Sequence, residues 1–273
     1  MASMLHNISE GITKKLKQMR NPYKKFHISW MDLRLLKNKP KQSLYKQKFL
    51  NGYIQFYGAL EFLHGVKEIF IDGIYDLKTG SNPKIIDCGG HIGLSAIYFK
   101  YQHPGADIVV FEPDPRNFQM LQENIRAQGY ENNIELRNEA VWIEHTELTF
   151  FSDASMSSRI ATGNESDIVK VKAFRLRDLL TEEVDLLKLD IEGAEYQVLK
   201  DIKDKFHLLK NIFIEYHGDF DKQNELVEIL GWVADAGFKF YIKEACNVYA
   251  HPFNKNEDDN ISYDVQLNIF CFR

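Results

Sequence analysis

The chain has few cysteines and no long hydrophobic run, and both absences exclude classes of protein. Its three cysteines, Cys88, Cys246 and Cys271, have no metal-binding spacing, and an odd number does not fit a disulfide framework. Charged residues interrupt every apolar stretch well before the ~20 residues that a membrane span requires, and no apolar signal-peptide core lies near the start. These absences predict a cytoplasmic protein with reduced thiols and no transmembrane segment.

The composition is that of a globular protein whose charge is unevenly distributed. Of the 273 residues, 44% are hydrophobic and 27% are charged, which suits one α/β domain with an appendage. The net charge is -5, yet residues 1–50 contain 12 Lys and Arg against 2 Asp and Glu. The main domain is therefore acidic, which argues against a nucleic-acid partner, because a phosphate-binding face is basic.

The first part of the chain is predicted to form a basic helical arm over residues 1–52, before a main domain over 53–273. Apolar residues recur at three- and four-residue steps in 8–20 and 27–38, which is helical spacing. We expect the arm to pack against its own acidic domain or against a second copy in a homodimer. Its lysine clusters leave open an acidic partner of another kind, such as nucleic acid or anionic lipid.

The main domain alternates between strand and helix patterns. Short apolar runs that predict strands lie at 84–88, 107–112, 133–137, 185–190, 211–217, 238–243 and 264–272. Helical patterns fill several of the gaps, at 93–102, 115–129, 194–208 and 221–236. This alternation predicts an α/β fold with a mostly parallel seven-stranded sheet and helices on both faces. A β-rich insert interrupts it at 147–155 and 167–174.

The stretch IIDCGGHIGLSAIYF, residues 85–99, reads as a strand, a glycine turn and a helix. Gly89 and Gly90 allow a sharp turn and close approach of a ligand, and Gly93 allows the helix to sit close to the strand. After the first strand of a parallel sheet, such a turn faces the crevice where ligands bind. Cys88 stands where the dinucleotide fingerprint has its first glycine. This replacement argues against an NAD-dependent oxidoreductase.

An acid follows the next predicted strand at the spacing of a nucleoside site. Glu112 stands 19 residues after Gly93, where a carboxylate can accept both hydroxyls of a ribose. Asp114 then precedes Pro115 as a plausible helix N-cap. Together with Asp87 at the end of the preceding strand, this acid predicts that the glycine turn binds a nucleoside.

Five motifs resemble the FkbM-type family of S-adenosylmethionine-dependent methyltransferases. In chain order they are IIDCGGHIGLSAIYF, VVFEPDPRNFQMLQENI, NEAVW, LLKLDIEGAEYQVLK and IFIEYHG, within residues 60–272. The resemblance implies a Rossmann-like class I methyltransferase fold with S-adenosylmethionine as cofactor. It also implies the cofactor-binding residues, which are Asp87, Gly89, Gly90 and Gly93 at the amino-acid end, Glu112 at the ribose, Asn138 and Ala140 at the adenine, and Asp190 close to the methyl donor.

Polar residues at two later strand ends predict the catalytic side. Asp190 ends an apolar strand, and Glu215 and His217 leave the next strand on one face, because strand side chains alternate. Methyl transfer to a hydroxyl benefits from a base, and His217 is the best candidate, since unperturbed histidine titrates near ~6.5. A divalent metal held by these three residues and Glu192 is the alternative, and a metal-free site is the preferred prediction.

The motifs and the resemblance together predict an O-methyltransferase that acts on a hydroxyl of a small molecule, such as a sugar or a secondary metabolite. A noncatalytic nucleoside-binding or assembly module, docked through the basic arm, is an alternative of another class. An NAD-dependent oxidoreductase is a further alternative. A nucleic-acid methyltransferase is disfavoured, because DIEGAE stands where an Asn/Asp-Pro-Pro-Tyr motif would act on a flipped base.

Overall fold

The computed structural model of the protein describes residues 21–40, 43–151, 159–160, 168–254 and 262–273. The helix predicted over 8–20 lies outside these ranges. The chain divides into two compact units, Met1–Ile74 and Tyr75–Arg273. The sequence patterns instead predict a boundary after residue 52. That position lies inside a β-hairpin formed by residues 45–56.

The described part of the first unit begins with helical structure. A 3₁₀ turn, Pro22–Phe26, precedes α1, Trp30–Leu36, which falls within the helix predicted over 27–38. The Ser29 side chain accepts the N–H of Asp32, and the Asp32 carboxylate accepts the N–H of Ser29. This reciprocal capping box satisfies backbone donors and determines where α1 begins.

A β-hairpin follows where the sequence analysis expects a helical arm. β1 (Tyr45–Phe49) and β2 (Gly52–Phe56) pair antiparallel, and α2 (Ala59–Gly65) comes next. Lys46 and Lys48 are exposed and alternate with more buried residues, which is the period-two pattern of a strand. The described residues of this unit are therefore part strand, and not helical throughout.

The second unit contains a seven-stranded sheet and a smaller four-stranded sheet. Its strands, in chain order, are β3 (Lys84–Cys88), β4 (Asp107–Phe111), β5 (Ile134–Arg137), β6 (Ala140–Trp142), β7 (Thr146–Phe151), β8 (Arg159–Ile160), β9 (Ile168–Arg175), β10 (Leu186–Leu189), β11 (Asn211–Gly218), β12 (Lys239–Glu244) and β13 (Val265–Phe272). Each of the seven predicted strands is confirmed to within one residue. The small sheet has the order β6-β9-β7-β8, and its strands β7 and β9 form where the β-rich insert is predicted.

The large sheet is mostly parallel, as predicted. Its order is β12-β13-β11-β10-β3-β4-β5. Neighbouring strands from β11 to β5 pair parallel, whereas β13 pairs antiparallel with both β11 and β12. All four residues of β10 are buried, so the centre of the sheet is covered on both faces.

Helices between the strands provide that cover. They are α3 (Leu94–Gln102), α4 (Pro115–Ala127), α5 (Leu176–Leu179), α6 (Glu195–Ile202) and α7 (Asn224–Asp235). Val198 of α6 and Ile229 of α7 pack in one apolar core with Ile86 of β3 and Leu187 of β10. Over the described ranges, no helix combines the length and the apolar character of a membrane span.

Candidate functional site

Two strand ends at the centre of the large sheet position the candidate site. The chain runs from β3 outward through β4 to β5 and later enters β10 on the other side of β3, so the strand order reverses between β3 and β10. Ligands of open parallel sheets bind at the carboxyl ends of the strands beside such a reversal. There the N–H of Asp190 donates to the carbonyl of Cys88 at 3.1 Å and holds the two strand ends together.

The glycine turn after β3 is tightly packed against its surroundings. Gly89 has a φ of +95°, and a Cβ on it would lie 1.9 Å from the carbonyl oxygen of Asp190. A Cβ on Gly90 would lie 2.3 Å from Cγ1 of Val110 on β4. Gly93, with a φ of +93°, is the N-cap of α3. All three glycines thus lie in the turn beside the reversal, and the protein's own packing excludes a side chain at the first two.

Asp87 is buried near the end of β3 and is paired with a lysine. Ser95 donates a hydrogen bond to Oδ2 of Asp87 at 2.5 Å, and Nζ of Lys188 lies 3.1 Å from Oδ1. The same Nζ lies 3.3 Å from Oδ2 of Asp190 and donates to the carbonyl of Gly89 at 2.9 Å. Burial raises the pKa of Asp87, and Lys188 and Ser95 offset part of that rise.

Sequence reasoning missed Lys188, which connects two of the predicted site residues. Burial lowers the pKa of this lysine, but Asp87 and Asp190 outweigh burial and keep the pKa well above its ordinary value. The available signal was a lone lysine inside the apolar strand LLKLD. In a strand that is buried on both faces, a charge needs a buried partner, so that lysine indicates a nearby carboxylate.

Glu112 follows β4 and is held beside the glycine turn. Its Oε2 accepts the N–H of His91, a residue of the turn, at 2.7 Å, and its Oε1 accepts the N–H of Asp114 at 2.9 Å. Burial raises the pKa of Glu112 to about 8, although these hydrogen bonds act in the opposite direction. A carboxylate has about four lone-pair sites, so about two remain available to a ligand.

The two residues expected at the adenine have different surroundings. Asn138 is exposed, and its side-chain amide donates to the carbonyls of Glu112 at 2.9 Å and Pro113 at 3.1 Å. Ala140 begins β6 and is buried in a small core with two residues of β9. Asn138 therefore lies beside Glu112, whereas the side chain of Ala140 belongs to the core of the small sheet.

A second group of polar residues follows β10 and surrounds the end of β11. The side chain of His217 is 3% exposed, and its Nδ1 lies 3.2 Å from Oε1 of Glu195. Its Nε2 lies 3.7 Å from Oε2 of Glu192 and 3.9 Å from Oε1 of Glu215. One ligand atom each from Asp190, Glu192 and His217 lie within 4.8 Å of one another. The structure thus brings the three predicted catalytic residues together and adds two glutamates.

The loop after β10 holds these two glutamates in different ways. Glu195 is buried at the start of α6, where its carboxylate accepts the N–H groups of Ile191 at 3.0 Å and Gly193 at 3.1 Å. Glu192 has a φ of +54°, which is uncommon for a residue other than glycine. Its carbonyl accepts a hydrogen bond from the hydroxyl of Tyr263 at 2.6 Å.

The carboxylates change the charge expected of His217. Burial lowers the pKa of this imidazole, but Glu195 and Glu192 outweigh burial and raise the pKa to about 10. Burial raises the pKa of Glu192 to about 7, and His217 offsets part of that rise. These carboxylates therefore favour the protonated imidazole, in contrast to the neutral imidazole expected of a base. The reason is that α6 places Glu195 against Nδ1.

The fold and the site together define a class of protein. The antiparallel β13 beside β11, the glycine turn after the first parallel strand and the acid after the second are those of class I S-adenosylmethionine-dependent methyltransferases. Residues 87–240 match the methyltransferase FkbM domain. The chain therefore belongs to the FkbM methyltransferase family, as its motifs predict, and it is a methyltransferase.

Two relatives agree with this assignment, and one solved structure shares part of the fold. Methyltransferase 1 of Beauveria bassiana is 30% identical over 204 residues, which are 63% of this chain and 81% of that protein. The 31-O-demethyl-FK506 methyltransferase FkbM of Streptomyces tacrolimicus is 25% identical over 224 residues, which are 66% of this chain and 82% of that protein. The crystal structure of methyltransferase FkbM from Methylobacillus flagellatus is similar to 72% of this chain and 45% of its own, with 14% identity and a TM-score of 0.49.

Proposed function

We propose that this protein transfers the methyl group of S-adenosylmethionine to a hydroxyl of a small molecule, such as a sugar or a secondary metabolite. Membership of the FkbM family supports the class of reaction. One relative is named for its action on 31-O-demethyl-FK506, and this name supports oxygen as the acceptor atom.

The observation that carries this proposal is the position of Lys188 between two groups of residues. Its Nζ lies 3.1 Å from Asp87, beside the glycine turn, and 3.3 Å from Asp190, beside His217. A transferase needs adjoining donor and acceptor sites, because the reacting atoms must be held in contact. The glycine turn and the carboxylate cluster meet this requirement at one edge of the sheet.

The residues around the turn suit the proposed cofactor. Gly89 and Gly90 present backbone without side chains, and Glu112 keeps lone pairs for two ribose hydroxyls after binding two N–H groups. Asn138 lies next to Glu112, on the side proposed for the adenine. When bound, S-adenosylmethionine supplies an electrophilic methyl group, which a hydroxyl oxygen accepts in an in-line displacement.

On the acceptor side, we assign binding of the hydroxyl and uptake of its proton to Asp190, Glu215 and His217. A hydroxyl donates readily to a carboxylate, and a carboxylate can take up the proton as the oxygen loses it. His217, held as an imidazolium by Glu195, accepts a proton only after releasing one. Uptake by a carboxylate is therefore the simpler route.

Calorimetric titration of the cofactor-stripped protein with S-adenosylmethionine, and separately with NAD, tests the cofactor. We expect micromolar binding of S-adenosylmethionine and none of NAD. Binding of NAD alone, or of neither compound, would overturn the proposal. Binding of S-adenosylmethionine without turnover on a broad panel of sugar and alcohol acceptors would favour a noncatalytic module instead.

Two substitutions test the acceptor side once an acceptor is found. Glu215→Gln should lower kcat by about 10²–10⁴-fold, because it removes a carboxylate proposed to take up the proton. His217→Ala should also lower kcat, through loss of hydroxyl binding, and both variants should bind S-adenosylmethionine with nearly unchanged affinity. His207→Ala is the matched control, because His207 is exposed and its ring bonds only the Asp204 backbone among its described contacts. Full activity of the first two variants would remove these residues from the mechanism.

We also infer that the basic N-terminal segment joins two copies of the chain. The support is its charge, since residues 1–50 carry 12 Lys and Arg against 2 Asp and Glu while the whole chain has a net charge of -5. Each copy thus offers both a basic segment and an acidic domain to the other.

A further inference from the structure

We propose that Asp190, Glu192 and His217, together with Glu215, form a binding site for one divalent cation of the Mg²⁺ or Mn²⁺ type. The cation would hold the acceptor hydroxyl and lower its pKa. That role rests on the function proposed above, whereas the binding of the cation does not.

The spacing of the donor atoms suits a single ion. Donor atoms of Asp190, Glu192 and His217 lie within 4.8 Å of one another, and the described residues contain one such group. Two ligands at ~2.0–2.2 Å from one ion lie at most about 4.4 Å apart, and the limit for a Ca²⁺-sized ion is about 5.2 Å. Side-chain shifts of a few tenths of an ångström would bring all three onto a smaller ion.

The strand pairing explains why these side chains meet. β10 and β11 are parallel neighbours, with Leu189 opposite Ile214, so the residues that follow both strands emerge at the same edge. Asp190 and Glu192 come from the end of β10, and Glu215 and His217 lie on β11 with side chains on one face. The end of β10, the loop that follows it and the end of β11 thus supply the three clustered donors, and Glu215 lies beside His217.

His217 provides a second observation that points to a ligand. Its side chain is 3% exposed, yet Nε2 faces carboxylate oxygens at 3.7 Å and 3.9 Å, which are beyond hydrogen-bond distance. Its Nδ1 is held by Glu195, which is itself fixed by backbone N–H groups. Metal-binding histidines usually have their second ring nitrogen held by a carboxylate in this way, which aims the first at the ion. An ion at Nε2 would displace the proton from that nitrogen, because a ligating imidazole is neutral.

The chemistry of the donors selects the kind of ion. Three of the four donors are carboxylates, whose hard oxygen atoms suit Mg²⁺ and Mn²⁺, and the fourth is an imidazole nitrogen. A hydroxyl held by such an ion would be more acidic, so its proton would pass more readily to water or to a carboxylate oxygen that does not bind the ion. The oxygen lone pair would then form the bond to the methyl carbon, and the electron pair of the broken carbon–sulfur bond would stay on sulfur.

Binding of Mn²⁺ to the full chain, measured by electron paramagnetic resonance after treatment with EDTA and buffer exchange, tests the site. We expect one Mn²⁺ per chain, displaced by excess Mg²⁺. Glu192→Gln and His217→Ala should weaken binding about 10-fold or more, and Glu195→Gln by about 10–100-fold through the imidazole that it holds. Glu135→Gln is the matched control, since Glu135 is exposed on β5.

The outcomes separate this inference from the proposed function. The cation site would be overturned if the chain does not bind Mn²⁺. It would also be overturned if Glu192→Gln, His217→Ala and Glu195→Gln all leave Mn²⁺ binding unchanged. Circular dichroism and S-adenosylmethionine titration of each variant show whether it is folded, and Glu192→Gln keeps the shape of the side chain. Full methyl transfer in EDTA would overturn the role of the cation while leaving the methyltransferase proposal intact. Failure to bind S-adenosylmethionine, with Mn²⁺ still bound, would overturn only the proposed function.

Discussion

At the scale of single residues, Gly89 shows how closely the turn is packed. Its φ is +95°, and an added Cβ would lie 1.9 Å from the backbone oxygen of Asp190. We expect Gly89→Ala to lower the free energy of unfolding by about 3 kcal/mol or more, because left-handed strain adds to a backbone clash. Gly129→Ala should cost only about 1 kcal/mol, since Gly129 has a φ of +80° but no heavy atom within 4 Å. Urea unfolding measures the free energy of unfolding of both variants. Equal decreases would contradict the close packing around Gly89.

Glu112 is the residue on which the proposed nucleoside site depends most. Glu112→Ala should weaken S-adenosylmethionine binding by about 1–3 kcal/mol, the cost of leaving the ribose hydroxyls without their hydrogen-bond partner. The variant also leaves the N–H groups of His91 and Asp114 without this acceptor, so circular dichroism must first show that it is folded. Glu131→Ala, at an exposed position, is the control in the same calorimetric titration. Equal affinity of both variants would remove Glu112 from the ribose site.

At the scale of elements, β10 holds the site together through its buried lysine. Lys188→Met should lower the free energy of unfolding by about 3–5 kcal/mol, because it leaves Asp87 and Asp190 facing each other without the cation between them. Lys210→Met should leave stability nearly unchanged, since Lys210 pairs with Asp185 at the surface. Chemical denaturation at pH 7 compares the two variants.

The pH dependence of the Lys188→Met penalty has a defined sign. Burial raises the pKa of Asp87 in the folded protein, so folding favours its protonated form. A carboxyl whose pKa is raised by folding lowers the free energy of unfolding of the protein as the pH rises above the unfolded pKa of that carboxyl. Removal of Lys188 makes this decrease larger. The penalty should therefore shrink as the pH is lowered towards the unfolded pKa of Asp87. A penalty that grows on acidification would contradict the ion pair.

At the scale of the whole molecule, the uneven charge predicts that the proposed association of two copies depends on salt. If the basic N-terminal segment joins two copies, the protein should sediment as a dimer at low ionic strength and shift towards the monomer as salt is added, because salt screens exposed charges. Replacing Lys14, Lys15 and Lys17 by Gln should move this shift to lower salt. A monomer at low salt would contradict the inferred dimer.

Much of the fold could be predicted because its determinants are local in the chain. The β3 strand, the glycine turn and Glu112 can be read from short runs with alternating or apolar character, and so can the seven strands of the large sheet. The sequence patterns do not predict the β1–β2 hairpin, because Lys46 and Lys48 lie in a lysine-rich stretch without apolar alternation, whereas on the strand they form one exposed face. The charge of His217 was also missed, because it depends on Glu195, 22 residues earlier.

The sequence by itself determined the class of fold and the family, and it predicted most residues of the candidate site, because strand periodicity, glycine placement and motif order lie in contiguous stretches. Only the tertiary structure decided that Lys188 joins Asp87 to Asp190 and that carboxylates surround His217. The physical reason is the strand order: β10 lies between β3 and β11, so residues about a hundred positions apart meet in a buried region where charges must be paired.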